Sequence, residues 1–150
     1  MRIAIAADHN GIELKRRLMD RLLAGGHQVD DLGSHSADEV VDYPLLCAGL
    51  GRQVVGGEAD RAVMIGGSGS GELIACNKIR GVRAGLALEP FTTEISRAHN
   101  DANMLVIGAK VLSPEQAEEL LELWLRTPFK GGRHQQRLEQ IAALERGEPL

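Results

Sequence analysis

Several things are scarce in this 150-residue chain, and each scarcity closes off a class of protein. Cysteine occurs only at Cys47 and Cys76, on separate helical patterns and with no Cys-x-x-Cys pair, so both are expected to be reduced, buried thiols and no structural disulfide is expected. No apolar run approaches the roughly 20 residues that cross a bilayer. Asp8 and His9 interrupt the first apolar stretch before it could form the core of an export signal. The expectation is a cytoplasmic protein without membrane attachment. Positive charge is not in excess: 17 Lys and Arg stand against 21 Asp and Glu, for a formal net charge of −4. That balance argues against a nucleic-acid binder relying on bulk positive charge, while a local basic patch for small anions stays open. Aromatic residues make up 3%, and the single tryptophan, Trp124, falls in the apolar stretch Leu120–Leu125, where packing explains it without a cofactor.

What is present is an ordinary globular composition, 43% hydrophobic and 25% charged, on a length that suits one domain over residues 1–150. Short apolar runs at Ile3–Ala7, Asp30–Leu32, Ala62–Ile65, Ala84–Leu88 and Leu105–Ile107 read as strands. Helical patterns alternate with them: Ile12–Leu23 stopped by Gly25-Gly26, about Pro44–Val55, Glu72–Ile79, and Phe91–Asn100 with Thr92 or Thr93 as its cap. Ser113-Pro114-Glu115-Gln116 carries a capping box into a helix that reaches Leu125, and Thr127-Pro128 ends it. A sixth helix, Gly132–Arg146, has too few apolar positions to be a core element alone and calls for a partner surface. The pattern predicts an α/β fold: a five-stranded parallel sheet with helices on both faces, joined by right-handed crossovers. Ligands of such sheets gather at the carboxyl ends of strands.

That rule picks out Asp8-His9 after the first strand, the loop Gly66-Gly67-Ser68-Gly69-Ser70-Gly71 before Glu72 after the third, Glu89 after the fourth and Lys110 after the fifth. Asp8 fits equally as a cap of the first helix. The glycine loop matches no nucleotide motif. The P-loop needs Lys where Glu72 stands, and the dinucleotide fingerprint and the nucleophile elbow both miss a required glycine. What remains is a nest of backbone N–H groups beside a carboxylate. Glu72 can simply complement a helix dipole. It can also take a proton from carbon while the N–H groups stabilise the resulting oxyanion, which is the chemistry of enolisation. The second role requires a partly desolvated carboxylate. His99 ends the fourth helix, where a dipole partner is as reasonable as a catalytic group. Arg133 and Arg137, at i, i+4 spacing beside Lys130 and His134, suit a phosphate dianion or a solvated surface.

Taken together, Asp8-His9-Asn10-Gly11, Asp42-Tyr43-Pro44, Gly66 to Glu72, Ala75-Cys76-Asn77-Lys78, His99-Asn100-Asp101-Ala102-Asn103 and Gly131 to Arg137 resemble the type B ribose-5-phosphate isomerase family over nearly the whole chain. The resemblance implies an aldose–ketose isomerase, built on a Rossmann- or flavodoxin-like sheet, that uses no metal and no cofactor. It implies a homodimer, or a dimer of such dimers, with active sites between subunits and a sugar phosphate as ligand. Glu72 resembles the base of the glutamate-using members, since Gly66 stands where others carry a catalytic cysteine and neither Cys47 nor Cys76 matches that position. Ser68 with Gly67, Gly69, Ser70 and Gly71 resembles the anion hole, and Tyr43 falls among the substrate contacts. Asp8 and His9 resemble sugar-hydroxyl and ring-opening contacts, His99 the proton donor to the ring oxygen, and Asn100 its neighbouring ligand. Arg133 and Arg137 resemble the phosphate grip, reaching in from the neighbouring subunit's sixth helix. Lys110 stands where many members have arginine, which reduces a bidentate phosphate contact to a point charge. Ribose 5-phosphate to ribulose 5-phosphate is the default reaction. A tetrose or hexose phosphate, or a rare free sugar, is the alternative within that chemistry, and a non-catalytic phosphate-binding module is the alternative outside it.

Overall fold

The run Ile3–Ala7 leaves no polar position on either side, a pattern that only a strand covered on both faces satisfies. In the computed structural model, which describes residues 1–150, all five of these residues are buried within strand β1 (Arg2–Ala7). Strands β2 (Gln28–Asp31), β3 (Arg61–Gly66), β4 (Ala84–Ala87) and β5 (Met104–Gly108) join it in one parallel sheet of order β2-β1-β3-β5-β4. Helices α1 (Ile12–Ala24), α2 (Tyr43–Gly56), α3 (Ser70–Cys76) and α4 (Pro90–Ala98) connect successive strands, and α5 (Pro114–Arg126) and α6 (Arg133–Glu145) follow. This is the doubly wound α/β architecture that the alternation predicts. None of the helices is long and apolar enough to cross a membrane.

The two-residue period of the strands sorts the core into two layers. Ile3, Ile5, Val63, Ile65, Leu105 and Ile107 face one side, where they meet Leu14, Leu18 and Leu22 of α1 and Leu121 and Trp124 of α5. Ala4, Ala6, Ala62, Met64 and Val106 face the other, against Cys47 and Leu50 of α2 and Cys76 of α3. Trp124 is therefore a core residue, as its sequence context indicates, with the Arg97 guanidinium 5.7 Å from its ring centre. Both cysteines are free and fully buried. The neighbouring Cys47 and burial push the Cys76 thiol above its usual range, which keeps it protonated.

Local expectations are revised in three places. β2 begins at Gln28 instead of Asp30, because its pairing with Arg2 uses backbone alone and needs no apolar side chain. α3 stops at Cys76, short of Ile79. The Asn77 side chain donates to the carbonyls of Leu73 and Ala84, both at 3.1 Å, and accepts from Ala84 N at 3.0 Å, tying off the helix. At the start of α4 neither Thr92 nor Thr93 is the cap. Glu89 takes that position and accepts from Thr92 N at 2.6 Å and Phe91 N at 2.8 Å, bonds that hold its carboxyl below the usual glutamate range. Glu89 thus stands on the carboxyl rim but is occupied as a cap.

The order of strands fixes where a crevice opens. The chain leaves β1 toward β2 on one side and returns to β3 on the other, so the loops after β1 and β3 diverge at a topological switch point. Main-chain bonds lock the rim there: Asp8 N donates to Ile65 O at 2.9 Å, Ala109 N to Gly66 O at 2.8 Å and Lys110 N to Gly67 O at 2.9 Å.

Away from this rim, the predicted capping box of α5 is complete, with Ser113 Oγ accepting from Gln116 N and Gln116 Oε1 accepting from Ser113 N. Ser113→Ala should lower unfolding free energy by about 1 kcal/mol. Urea titration would show this as a lower midpoint at unchanged slope.

Candidate functional site

The loop from Gly66 to Gly69 turns the chain from β3 into α3, and Gly69 makes the turn at φ 83°, in the left-handed region. The consequence is a concentration of free donors. The N–H groups of Gly67, Ser68, Gly69, Gly71 and Glu72 have no acceptor in the chain, while Ser70 N donates to Ser68 Oγ at 3.2 Å. The Tyr43 ring packs against Gly71 and closes one side of this nest.

Glu72 is one of two buried carboxylates on the rim, with 4% of its surface exposed, and its carboxylate has no ion pair and no hydrogen bond from another side chain. Its carboxyl group folds back over Gly66. A Cβ at position 66 would collide with Oε1 and Cδ and come within 2.6 Å of Oε2. The carboxylate therefore occupies the volume that a side chain at position 66 would fill. Cys47 supports the same helix from below, its Sγ donating to the Glu72 carbonyl oxygen at 3.8 Å.

Asp8, buried with 5% of its surface exposed, does not cap α1; Gly11 holds the cap position. The Asp8 carboxylate accepts instead from Asn10 N at 2.8 Å and Asn10 Nδ2 at 3.0 Å. The same amide nitrogen lies 3.2 Å from His9 Nε2. Turning the amide over would set its oxygen against the Asp8 carboxylate, so its NH2 faces both partners and His9 Nε2 acts as acceptor. His9 Nδ1 is left buried with no partner. Lys110, exposed at the end of β5, completes this group beside the glycine loop.

The other expected site residues lie elsewhere. α4 runs from the carboxyl end of β4 back to the amino end of β5, so His99 and Asn100 stand before β5 and Glu72 stands beyond its neighbour β3. A five-residue strand spans about 15 Å. One chain therefore carries two separate clusters at opposite ends of its sheet. The second cluster is built around His99, whose ring stacks on His134 at 3.8 Å between centres and 13° between planes. Lys130 N donates to Ala98 O at 2.9 Å and returns the chain to this point, from which Arg133 and Arg137 project on exposed positions of α6. No residue of α6 is buried. Leu138, Ile141 and Leu144 line an open cavity of about 540 Å³ between that helix and the Val82–Ala84 segment. No three His, Cys, Asp or Glu side chains come together at metal-binding distance.

Two residues that the sequence motifs contain without assigning a role are thus part of these clusters, Asn10 and His134. An amide directly after Asp8-His9 was the available signal for the first; the stack behind the second depends on a return of the chain that no local pattern records. Desolvation and the charges of His99, Arg137, Arg133 and Lys130 push His134 below the ordinary histidine range. Removing cations favours the charged ring, so replacing Arg133 and Arg137 by glutamine should raise the pH at which His134 titrates. NMR titration of the ring protons checks the direction.

Comparison with known proteins bears on the family and the fold. The ribose/galactose isomerase family model matches residues 3–141. Ribose-5-phosphate isomerase B of Escherichia coli is 40% identical over 144 residues, covering 96% of each chain. The solved structure of Clostridium thermocellum ribose-5-phosphate isomerase B superposes with a TM-score of 0.96 at 39% identity, over 98% of this chain and 99% of the other. The Mycoplasma genitalium ribose-5-phosphate isomerase B structure, which has ribulose 5-phosphate bound, gives a TM-score of 0.92 at 32% identity over 97% and 96%. With matches that run almost from end to end, this chain belongs to the ribose/galactose isomerase family.

Proposed function

We propose that this protein interconverts D-ribose 5-phosphate and D-ribulose 5-phosphate through an enediolate, with Glu72 as the base. The observation that carries the reading is a buried, unpaired carboxylate lying beside five main-chain donors that have no acceptor of their own. In that arrangement the opened aldose places its C1 oxygen toward the N–H groups of Gly67 to Gly71 and its C2–H toward Glu72. The carboxylate removes the C2 proton, and the C–H electron pair forms the C1=C2 bond while O1 takes the negative charge. Glu72 returns the proton to C1; O2 gives up its proton as it becomes the ketone oxygen, and O1 gains one. The net change moves one hydrogen from C2 to C1 and one from O2 to O1. Preorganised donors in a site closed to water stabilise such an oxyanion without solvent rearrangement. Ser68, Ser70, Tyr43, Asp8 and His9 hold the sugar, and Asp8 or His99 assists ring opening.

We also propose that the site is completed by a second copy of the chain. Asp8, His9, Tyr43, the glycine loop, Glu72 and Lys110 come from one subunit, and His99, Asn100, Arg133 and Arg137 from its partner. Separation of the two clusters within one chain supports this, as does a helix α6 with no fully buried residue. Arg133, Arg137 and Lys110 form the phosphate grip, two guanidinium forks and a point charge.

Glu72→Gln should abolish exchange of the C2 hydrogen with heavy water while sugar-phosphate binding persists; unchanged exchange would remove Glu72 from the role of base. Gly66→Ala, which pushes the carboxyl group aside, should lower kcat by about tenfold or more. A panel of four-, five- and six-carbon sugar phosphates in the same assay ranks substrates, and absence of exchange with all of them would favour a binding module. The shared site has its own test. Refolding an equal mixture of inactive Glu72→Gln chains and inactive Arg133→Gln/Arg137→Gln chains should restore about a quarter of wild-type activity by random pairing into two-fold dimers. No recovery would place all groups on one chain.

A further inference from the structure

The turn that carries His99 and Asn100 is held by a charge network in which none of the groups belongs to the proposed site. Asp101, at φ 44°, divides its carboxylate between two arginines: Oδ1 accepts from Arg97 Nη1 at 2.8 Å and Oδ2 from Arg83 Nη2 at 2.9 Å. Arg97 is 4% exposed and also donates to Ala102 O at 2.7 Å. Arg83 Nε donates to the carbonyls of Asn100 and Asp101, both at 3.1 Å. The backbone closes the same loop, with Asp101 N bonded to Arg97 O at 3.1 Å, Ala102 N to Ser96 O at 2.9 Å and Asn103 N to Arg83 O at 3.0 Å. Arg83 immediately precedes β4 and Arg97 lies in the last turn of α4. The carboxylate of Asp101 therefore ties the end of the helix to the edge of the sheet, and the His99-Asn100 turn is the segment suspended between them.

Resting on the isomerase reading, we infer that Asp101 is a positioning residue for ring opening: through Arg97 and Arg83 it fixes the turn that aims His99 at the ring oxygen of a sugar held by the other subunit. Two features make this more than general stabilisation. Arg97 is a buried cation whose only anionic partner is Asp101, so loss of that charge leaves the guanidinium uncompensated and free to draw the turn away. The left-handed backbone at residue 101 suits Asn as well as Asp, so an amide there removes the charge while keeping the chain path.

Ring opening and proton transfer can be measured apart. Ribose 5-phosphate rests as a closed furanose, whereas ribulose 5-phosphate cannot close a five-membered ring because its O5 is esterified. Asp101→Asn should lower kcat/KM for ribose 5-phosphate by about ten- to a hundredfold, the scale of a displacement near 1 Å. Exchange of the C1 hydrogen of ribulose 5-phosphate with heavy water should stay within about threefold of wild type, since it needs Glu72 and the glycine loop but no ring opening. Arg83→Lys, which keeps the charge but loses the fork that grips Asn100 and Asp101, should show the same selective loss to a smaller degree and stands in if the asparagine variant does not fold. Equal loss of both activities, or no loss of either, overturns the inference. Glu72→Gln, which must suppress exchange from both sugars, separates that outcome from failure of the isomerase reading itself.

Discussion

A parallel sheet has two unlike ends, and that asymmetry governs everything this chain can do. Every strand of the sheet delivers the residue after it to one rim and receives the residue before it from the other. Helices α1 to α4 carry the chain back between rims. Asp8, the glycine loop and Lys110 follow strands; His99 and Asn100 precede one. The first group inherits the switch-point crevice and the free N–H groups of a loop entering a helix, and the second inherits the cationic start of α6. Neither end alone offers both the proposed base with its anion hole and a pair of guanidinium forks. Under the proposed function, the polarity of the sheet makes association between copies the way to join acid–base chemistry to phosphate recognition.

The two ends are also stabilised by different means. At the carboxyl rim, positions are set by main-chain bonds between neighbouring strand ends and by one amide, Asn10, that serves Asp8 and His9 together. Such short, local links leave the donors of the glycine loop unspent. At the amino rim the organising groups are ionic: Arg83, Arg97 and Asp101 secure a turn that has no sheet bonding of its own. A buried pair of this sort adds little net stability compared with apolar packing, but it demands one geometry. Under the proposed shared site, that is an advantage, since the turn would carry a group that must meet a ligand held by another molecule.

Much of the fold was legible because burial on both faces leaves a plain signature. The runs Ile3–Ala7, Ala62–Ile65 and Leu105–Ile107 fell wholly within strands, and Ala84–Leu88 overran β4 by one residue. Asp30–Leu32 met the half-exposed β2 only in part, and the capping box at Ser113 marked α5 to within a residue. Strand order was not legible: β5 lies between β3 and β4, and nothing in either run encodes its neighbour. Caps failed where rotamers decide, since Glu89 reaches two N–H groups that Thr92 was equally entitled to satisfy. In the candidate site, Glu72 and the glycine loop stood out because glycine-rich turns after strands have few other uses. The His99–His134 stack did not, because it depends on where α6 starts in space. Arg133 and Arg137, on the same helix as His134, were recognisable by their spacing and by the family resemblance of Gly131 to Arg137.

The pairing of Gly66 with Glu72 shows how a missing side chain can be part of a site. Glutamate at the third position of a short helix would ordinarily extend into water, where its charge is solvated and its basicity is that of any surface carboxylate. Here the space over residue 66 is vacant, and the Glu72 carboxyl lies in it. Any residue with a Cβ at position 66 would compete for that volume, so a side-chain nucleophile or base at 66 and the observed pose of Glu72 exclude one another on steric grounds alone. Under the proposed mechanism the glycine is then as consequential as the glutamate. It lets a largely buried carboxylate lie against the strand end, at the start of the loop whose N–H groups are free.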